Sequence, residues 1–221
     1  MKIIQYRRFG APEVLELNEA PIPDLSPGQA LVRVAAAGVN LADSLMRENR
    51  YAVTPSLPAI PGFEVAGTVE RVAPDVVDLE PGARVAAPLF AAGAIAGGYA
   101  EYVAVDAKLL VPLPEKLSFE VATALMMQGL TALYLVEHVS PAGKTVLVNA
   151  AAGGVGSLLV QLAKHFGATR VIAGASAPQQ LELARRLGAD SGVDYTRPDW
   201  AEQLLRDTDG RGADIIYESV G

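Results

Sequence analysis

Residues 149–156 read Asn149-Ala150-Ala151-Ala152-Gly153-Gly154-Val155-Gly156 and stand between an apolar run at 146–149 and a segment of helical periodicity. In that segment Val155, Leu158, Leu159, Leu162, Ala163 and Phe166 recur at the spacing of one helix face, which must therefore be buried. Strand, glycine turn and helix in this order open a dinucleotide-binding fold. Gly153 lets backbone approach a pyrophosphate and Gly156 lets the helix pack closely on the strand. The helix N-terminus adds unpaired N–H groups and the positive end of its dipole. Cofactor contacts are expected from Ala152, Gly153, Gly154, Val155 and Gly156. Ala151 replaces the first glycine of the G-x-G-x-x-G pattern, so the turn must accommodate a Cβ there. The plainer reading is an ordinary Gly-rich loop.

Beyond this turn, strands are expected at 171–174, 192–194 and 215–218, alternating with helices at 155–166, 179–187 and 200–206. Such a βαβ series makes a parallel sheet. An NAD-binding fold normally ends its second strand on Asp or Glu, which binds the ribose hydroxyls. Here that strand ends Gly174-Ala175-Ser176. A carboxylate would repel a 2′-phosphate, so its absence admits NADPH, with Ser176 and Tyr195 as hydroxyl donors. The competing readings are an N-cap ahead of Pro178 for Ser176 and a strand-end aromatic for Tyr195.

Toward the N-terminus the pattern is β-rich, with runs at 30–34, 65–72, 84–87, 99–105 and 109–111 and a loop at 91–98. Ser26-Pro27-Gly28, Glu80-Pro81-Gly82 and Pro141-Ala142-Gly143 repeat one turn device ahead of strands. After Pro114 the period changes: Ser118 can cap a helix carrying Val121, Leu125, Leu130, Leu133 and Val136 toward one side, interrupted by Gly129. The expected domains are 1–117 and 118–221.

Composition excludes several functions. The 221 residues are 51% hydrophobic with a formal net charge of −7, which gives no electrostatic footprint for nucleic acid or an anionic membrane. There is no Cys, hence no disulfide and no thiolate metal ligand. No uninterrupted apolar stretch of about 18 residues and no apolar signal region is seen, so a soluble, cytoplasmic protein is expected.

Along its whole length the sequence resembles the zinc-free quinone oxidoreductases, the ζ-crystallin-like branch of the medium-chain dehydrogenases. The resemblance rests on Ala37-Gly38-Val39-Asn40 with Asp43, on residues 61–67 (Pro61-Gly62-Phe63-Glu64-Val65-Ala66-Gly67) and on Gly97-Gly98-Tyr99-Ala100-Glu101-Tyr102. It continues through Gly129-Leu130-Thr131-Ala132, the glycine turn and Tyr217-Glu218-Ser219-Val220-Gly221. In the zinc-dependent relatives a Cys and a His stand where this chain has Asn40 and Phe63, so no catalytic metal is expected. The resemblance implies an α/β architecture, a GroES-like substrate domain followed by a Rossmann-type doubly wound parallel sheet. It also implies NADPH-dependent hydride transfer to quinones or α,β-unsaturated carbonyl compounds, or to enoyl thioesters. A non-catalytic, nucleotide-binding structural role is the alternative.

The resemblance places Asn40, Tyr51 and Thr131 around the substrate, Asn40 or Tyr51 polarising the acceptor carbonyl and Thr131 beside the nicotinamide. It extends the cofactor contacts to Ser219 and Gly221. Asn40 capping a turn, Tyr51 as a surface aromatic and Thr131 bonding its own helix are the plainer readings. Asp43 is read as bracing its loop. Gln180 stands where some members direct a Lys at the 2′-phosphate, which lowers the expected preference for NADPH. Against the strand order 3-2-1-4-5-6, the sequence reaches Gly221 directly after its fourth strand, so it reads as truncated. The sheet edge through which a homodimer would form is then missing.

Overall fold

In a computed structural model, residues 1–92 and 97–218 are described here, and their contacts divide the chain into Met1–Met127 and Gln128–Gly221.

In the first unit, β1 (Lys2–Gln5) pairs antiparallel with β2 (Glu16–Glu19). A five-stranded antiparallel sheet is built from β3 (Gln29–Ala37), β4 (Glu64–Val72), β5 (Arg84–Pro88), β6 (Tyr102–Asp106) and β7 (Val111–Pro112), in the order β6-β3-β4-β5-β7. The two-residue period of a strand separates its faces. Val65 and Val85 join one apolar cluster with Val32 and Val105, while their neighbours Ala66 and Ala86 pack on the other side against Ala122. A short helix, α1 (Leu41–Arg47), follows β3, and α2 (Phe119–His138) carries the division between the units. The expected turn glycines 28 and 82 have φ of 78° and 91°.

Two expectations change. The run at 109–111 is not a strand throughout: Ala107–Leu109 forms a turn of 3-10 helix because the Asp106 carboxylate accepts the Lys108 N–H at 2.9 Å, and only Val111–Pro112 pairs. The run at 99–105 is split: Ala100 makes a single antiparallel bridge to Ile3, and the continuous strand begins at Tyr102.

The second unit is an all-parallel sheet. Its strands are β8 (Thr145–Val148), β9 (Arg170–Ala175), β10 (Ser191–Asp194) and β11 (Ile215–Tyr217), in the order β10-β9-β8-β11. Helices α3 (Gly154–His165), α4 (Pro178–Arg186) and α5 (Trp200–Asp207) connect them. Val146, Val148, Val171 and Ala173 meet Leu159, Val160 and Ala163 of α3 and Ala184 of α4. Leu147 and Ile172, one residue out of step, meet Leu204 and Trp200 of α5. The sheet is thus covered on both faces, the doubly wound arrangement that the sequence predicts.

Helix α2 differs from its expected pattern. It runs unbroken through Gly129, and Val121, Leu125 and Leu130 are exposed, while Ala122, Thr123, Ala132 and Val136 are buried. Small side chains permit the closest helix approach, so the buried stripe follows Ala and Thr and not Leu. Among the described residues α2 is the one helix long and apolar enough to cross a membrane by length and composition alone.

Candidate active site

The glycine turn lies at the C-terminal end of β8, between neighbours β9 and β11, where the strand order reverses. Ligands of open parallel sheets bind at that reversal. The Asn149 N–H reaches the Tyr217 carbonyl at 3.1 Å and the Ala151 N–H reaches the Gly174 carbonyl at 3.0 Å, so both adjoining strands hold the turn. Ala151 is fully buried in the core, and the left-handed residue is Ala150, at φ 47°. The Cβ that replaces the first glycine is therefore accommodated by bending the chain one residue earlier.

Gly153 is the N-cap of α3 and has no side chain to satisfy the helix's first N–H groups, those of Gly154, Val155 and Gly156. Gly153 and Gly154 are exposed, and Gly156 is buried. A Cβ on Gly156 would lie 2.1 Å from the Ala150 carbonyl oxygen, so the helix touches the turn directly. This bare helix start fits a pyrophosphate.

The neighbouring loop is already internally bonded. Ser176 is not an N-cap; that position belongs to Ala177, with Pro178 next. The Ser176 N–H and hydroxyl both donate to Gln180 Oε1, each at 3.1 Å. Tyr195 follows β10, its N–H on the Ala175 carbonyl at 3.2 Å and its ring 3.3 Å from where a Gly174 Cβ would stand. Arg197, the nearby cation in sequence, is paired with Asp199 at 3.0 Å. Ser219 and Gly221 lie outside the described residues.

One contact here has no counterpart in the sequence pattern: Asn149 Nδ2 donates to Glu218 at 2.5 Å, joining the C-terminal ends of β8 and β11. Thr131 is half-buried on α2, within the second unit.

In the first unit a polar cluster surrounds the start of α1. Asn40 is its N-cap and Asp43 closes back on it, accepting the Asn40 N–H at 2.8 Å. Asp43 also accepts the Gly62 N–H at 2.8 Å and the Tyr99 hydroxyl at 3.4 Å, so it braces the loop as expected. Asn40 Nδ2 donates to Glu64 Oε1 at 3.0 Å. Tyr51 is partly exposed and sets its ring edge against Phe63, centroids 6.2 Å apart. The two predicted substrate residues of this unit are thus linked through Phe63 and Glu64.

Burial raises the pKa of both Asp43 and Glu64, against the hydrogen bonds they accept. It also raises Tyr99, helped by the Asp43 charge, so this hydroxyl stays protonated. Among the described residues no group of three or more His, Cys, Asp or Glu could hold a metal ion.

Two family models match the chain, the alcohol dehydrogenase GroES-like domain over residues 26–115 and zinc-binding dehydrogenase over residues 154–221. It is 38% identical over its full length to a quinone oxidoreductase of Pseudomonas aeruginosa, of which it spans 66%. It is also 38% identical to the 2-methylene-furan-3-one reductase of Solanum lycopersicum and spans 57% of that protein. The solved quinone oxidoreductase of Thermus thermophilus, described together with its NADPH complex, superposes with a TM-score of 0.85 at 38% identity. All of this chain and 67% of that one are covered. The chain therefore spans less than two thirds of the length of these two curated relatives.

Proposed function

Because the chain belongs to the medium-chain dehydrogenase/reductase family, in its zinc-free quinone-oxidoreductase branch, we propose that it serves NADPH-dependent hydride transfer to quinones and α,β-unsaturated carbonyl compounds without a metal. The observation that carries this reading is the bare start of α3 held against Ala150, beside a second strand that ends without a carboxylate. Bound NADPH would supply the hydride.

The protein's part is to bind, orient and stabilise. Gly154, Val155 and Gly156 would present backbone N–H groups to the pyrophosphate, and Ala152 and Gly153, whose own N–H is held by the Ala150 carbonyl, would border them. Ser176 and Tyr195 would face the 2′-phosphate. A carbonyl oxygen that gains charge needs a preorganised donor, which we assign to Tyr51 and Asn40, with Thr131 on the nicotinamide side. Quinones and enones share the required chemistry, an electrophilic carbon conjugated to such an oxygen, and enoyl thioesters are a narrower member of that class.

Steady-state NADPH oxidation with 1,4-benzoquinone tests the proposal, with turnover expected. Tyr51→Phe should lower kcat/KM for the quinone about tenfold, the scale of one hydrogen bond to a developing charge. A chain that binds NADPH but turns over neither quinone nor enone would support the structural reading instead.

Gln180 tunes the cofactor choice. Its Oε1 occupies the Ser176 N–H and hydroxyl that a 2′-phosphate would use. Gln180→Lys frees both and adds a cation at the helix start. The KM for NADPH should fall about fivefold, the value of an exposed charge pair at its most favourable, while that for NADH stays unchanged. Equal shifts for both cofactors would show that the 2′-phosphate does not lie here.

A further inference from the structure

Glu64 begins β4 and is among the largest fully buried side chains of the protein. Burying a carboxylate is costly unless each oxygen is hydrogen-bonded, and a valine would fill the same strand position without that cost. Each oxygen does have a partner: Oε1 accepts from Asn40 Nδ2 at 3.0 Å, and Oε2 accepts the Met127 N–H at 2.5 Å. A third position yields space to it, since a Cβ on Gly38 would lie 1.9 Å from Oε1. Two stretches remote in sequence, residues 38–40 and Met127, therefore accommodate one charged group.

An amide can face a neighbour with either its oxygen or its nitrogen. An ionised carboxylate only accepts, so Asn40 must turn its nitrogen to Glu64. We propose that Glu64 is a positioning residue for the reaction: it holds one N–H of the Asn40 amide, whose oxygen faces the Asp43 N–H in the capping box, and the two together set the direction of the second N–H. This rests on the role given to Asn40 above.

Glutamine is not equivalent at this position. Its NH2 would face either the Met127 N–H or the Asn40 NH2, and in the second case the Asn40 amide must flip. Kinetics of Glu64→Gln, Asn40→Ala and the double variant, with NADPH and 1,4-benzoquinone, test the coupling. Glu64→Gln is expected to lower kcat/KM for the quinone about tenfold and leave the KM for NADPH unchanged, and the double variant should be no slower than Asn40→Ala.

A second readout does not need turnover: the side-chain 1H–15N amide pair of Asn40, identified by its absence from the spectrum of Asn40→Ala, should move in Glu64→Gln. If Glu64→Gln does not fold, Gly38→Ala displaces the carboxylate by contact and should move the same resonance. An unmoved resonance, or losses that multiply in the double variant, overturns the assignment of Glu64 alone. Wild-type turnover in Asn40→Ala overturns the role of Asn40 in the proposed reaction and the positioning role with it.

Discussion

Gly156→Ala should weaken NADPH binding by between about ten and a hundredfold and lower stability by about 1–3 kcal/mol, the range for overpacking a tight contact. The new Cβ would stand 2.1 Å from the Ala150 oxygen, 2.8 Å from its carbonyl carbon and 2.9 Å from the Ala151 Cα. All three are backbone atoms, and none can rotate away. Ala150 has little freedom to yield, because it is already left-handed and its oxygen accepts the Gly153 N–H at 2.8 Å. The start of α3 must therefore lift. Leu159, Val160 and Ala163 are fully buried beneath the helix and resist a rigid shift, so the disturbance concentrates at the N–H groups that would face the pyrophosphate. Gly153→Ala is the comparison: its Cβ would stand 3.2 Å from the same oxygen, which must give by only a few tenths of an ångström. Its loss of stability should stay below about 1 kcal/mol. Fluorescence titration with NADPH and urea unfolding measure both effects. Wild-type affinity and an unshifted midpoint in Gly156→Ala would remove the turn from the binding site.

Which parts of this could be read in the sequence follows from the range of the interactions. The βαβ alternation is written in local periodicity, and the strand-turn-helix at 146–166 needs only its own neighbours to be recognised. Where a partner lies far along the chain, local pattern fails. The pairing of Lys2–Gln5 with Glu16–Glu19 joins short, largely polar strands with no alternation to announce them. Helix α2 buries Ala122 against Ala66 and Ala86 and Ala132 in the core of the second unit, whereas hydrophobicity alone singles out its Leu residues. The same limit applies to the site. Asn40 and Tyr51 are marked by the family resemblance, but their link through Glu64 and Phe63, the Met127 contact and the Asn149 bond to Glu218 join residues well apart in the chain and leave no spacing signature. Gln180 stands out in the sequence for the charge it lacks, whereas its hydrogen bonds to Ser176 depend on side-chain placement that no local pattern encodes.

Asp43→Ala should destabilise the first unit by about 2–6 kcal/mol, since it strands two buried N–H groups at about 1–3 kcal/mol each. Those groups belong to Asn40 and Gly62, each 2.8 Å from the carboxylate. A cavity of about 150 Å³ borders Asp43, and water entering it would bring the loss toward the lower figure. Asp43→Asn keeps one oxygen and should lose about half as much. The pH dependence separates the bonds from the charge. Burial holds the folded pKa of Asp43 above its unfolded value near about 4, so proton binding favours the fold. The advantage of the wild type over Asp43→Asn is then greatest below that value and narrows as pH rises through the folded pKa. Asp190, whose pKa is lowered, has the opposite slope in both proteins and cancels in the difference. Urea unfolding of the two proteins at pH 4 and 7 measures this gap. A gap that widens with pH would mean that the accepted N–H bonds outweigh desolvation at Asp43. The carboxylate would then stabilise this loop through its charge, and Asn40 and Gly62 would be held most firmly at neutral pH.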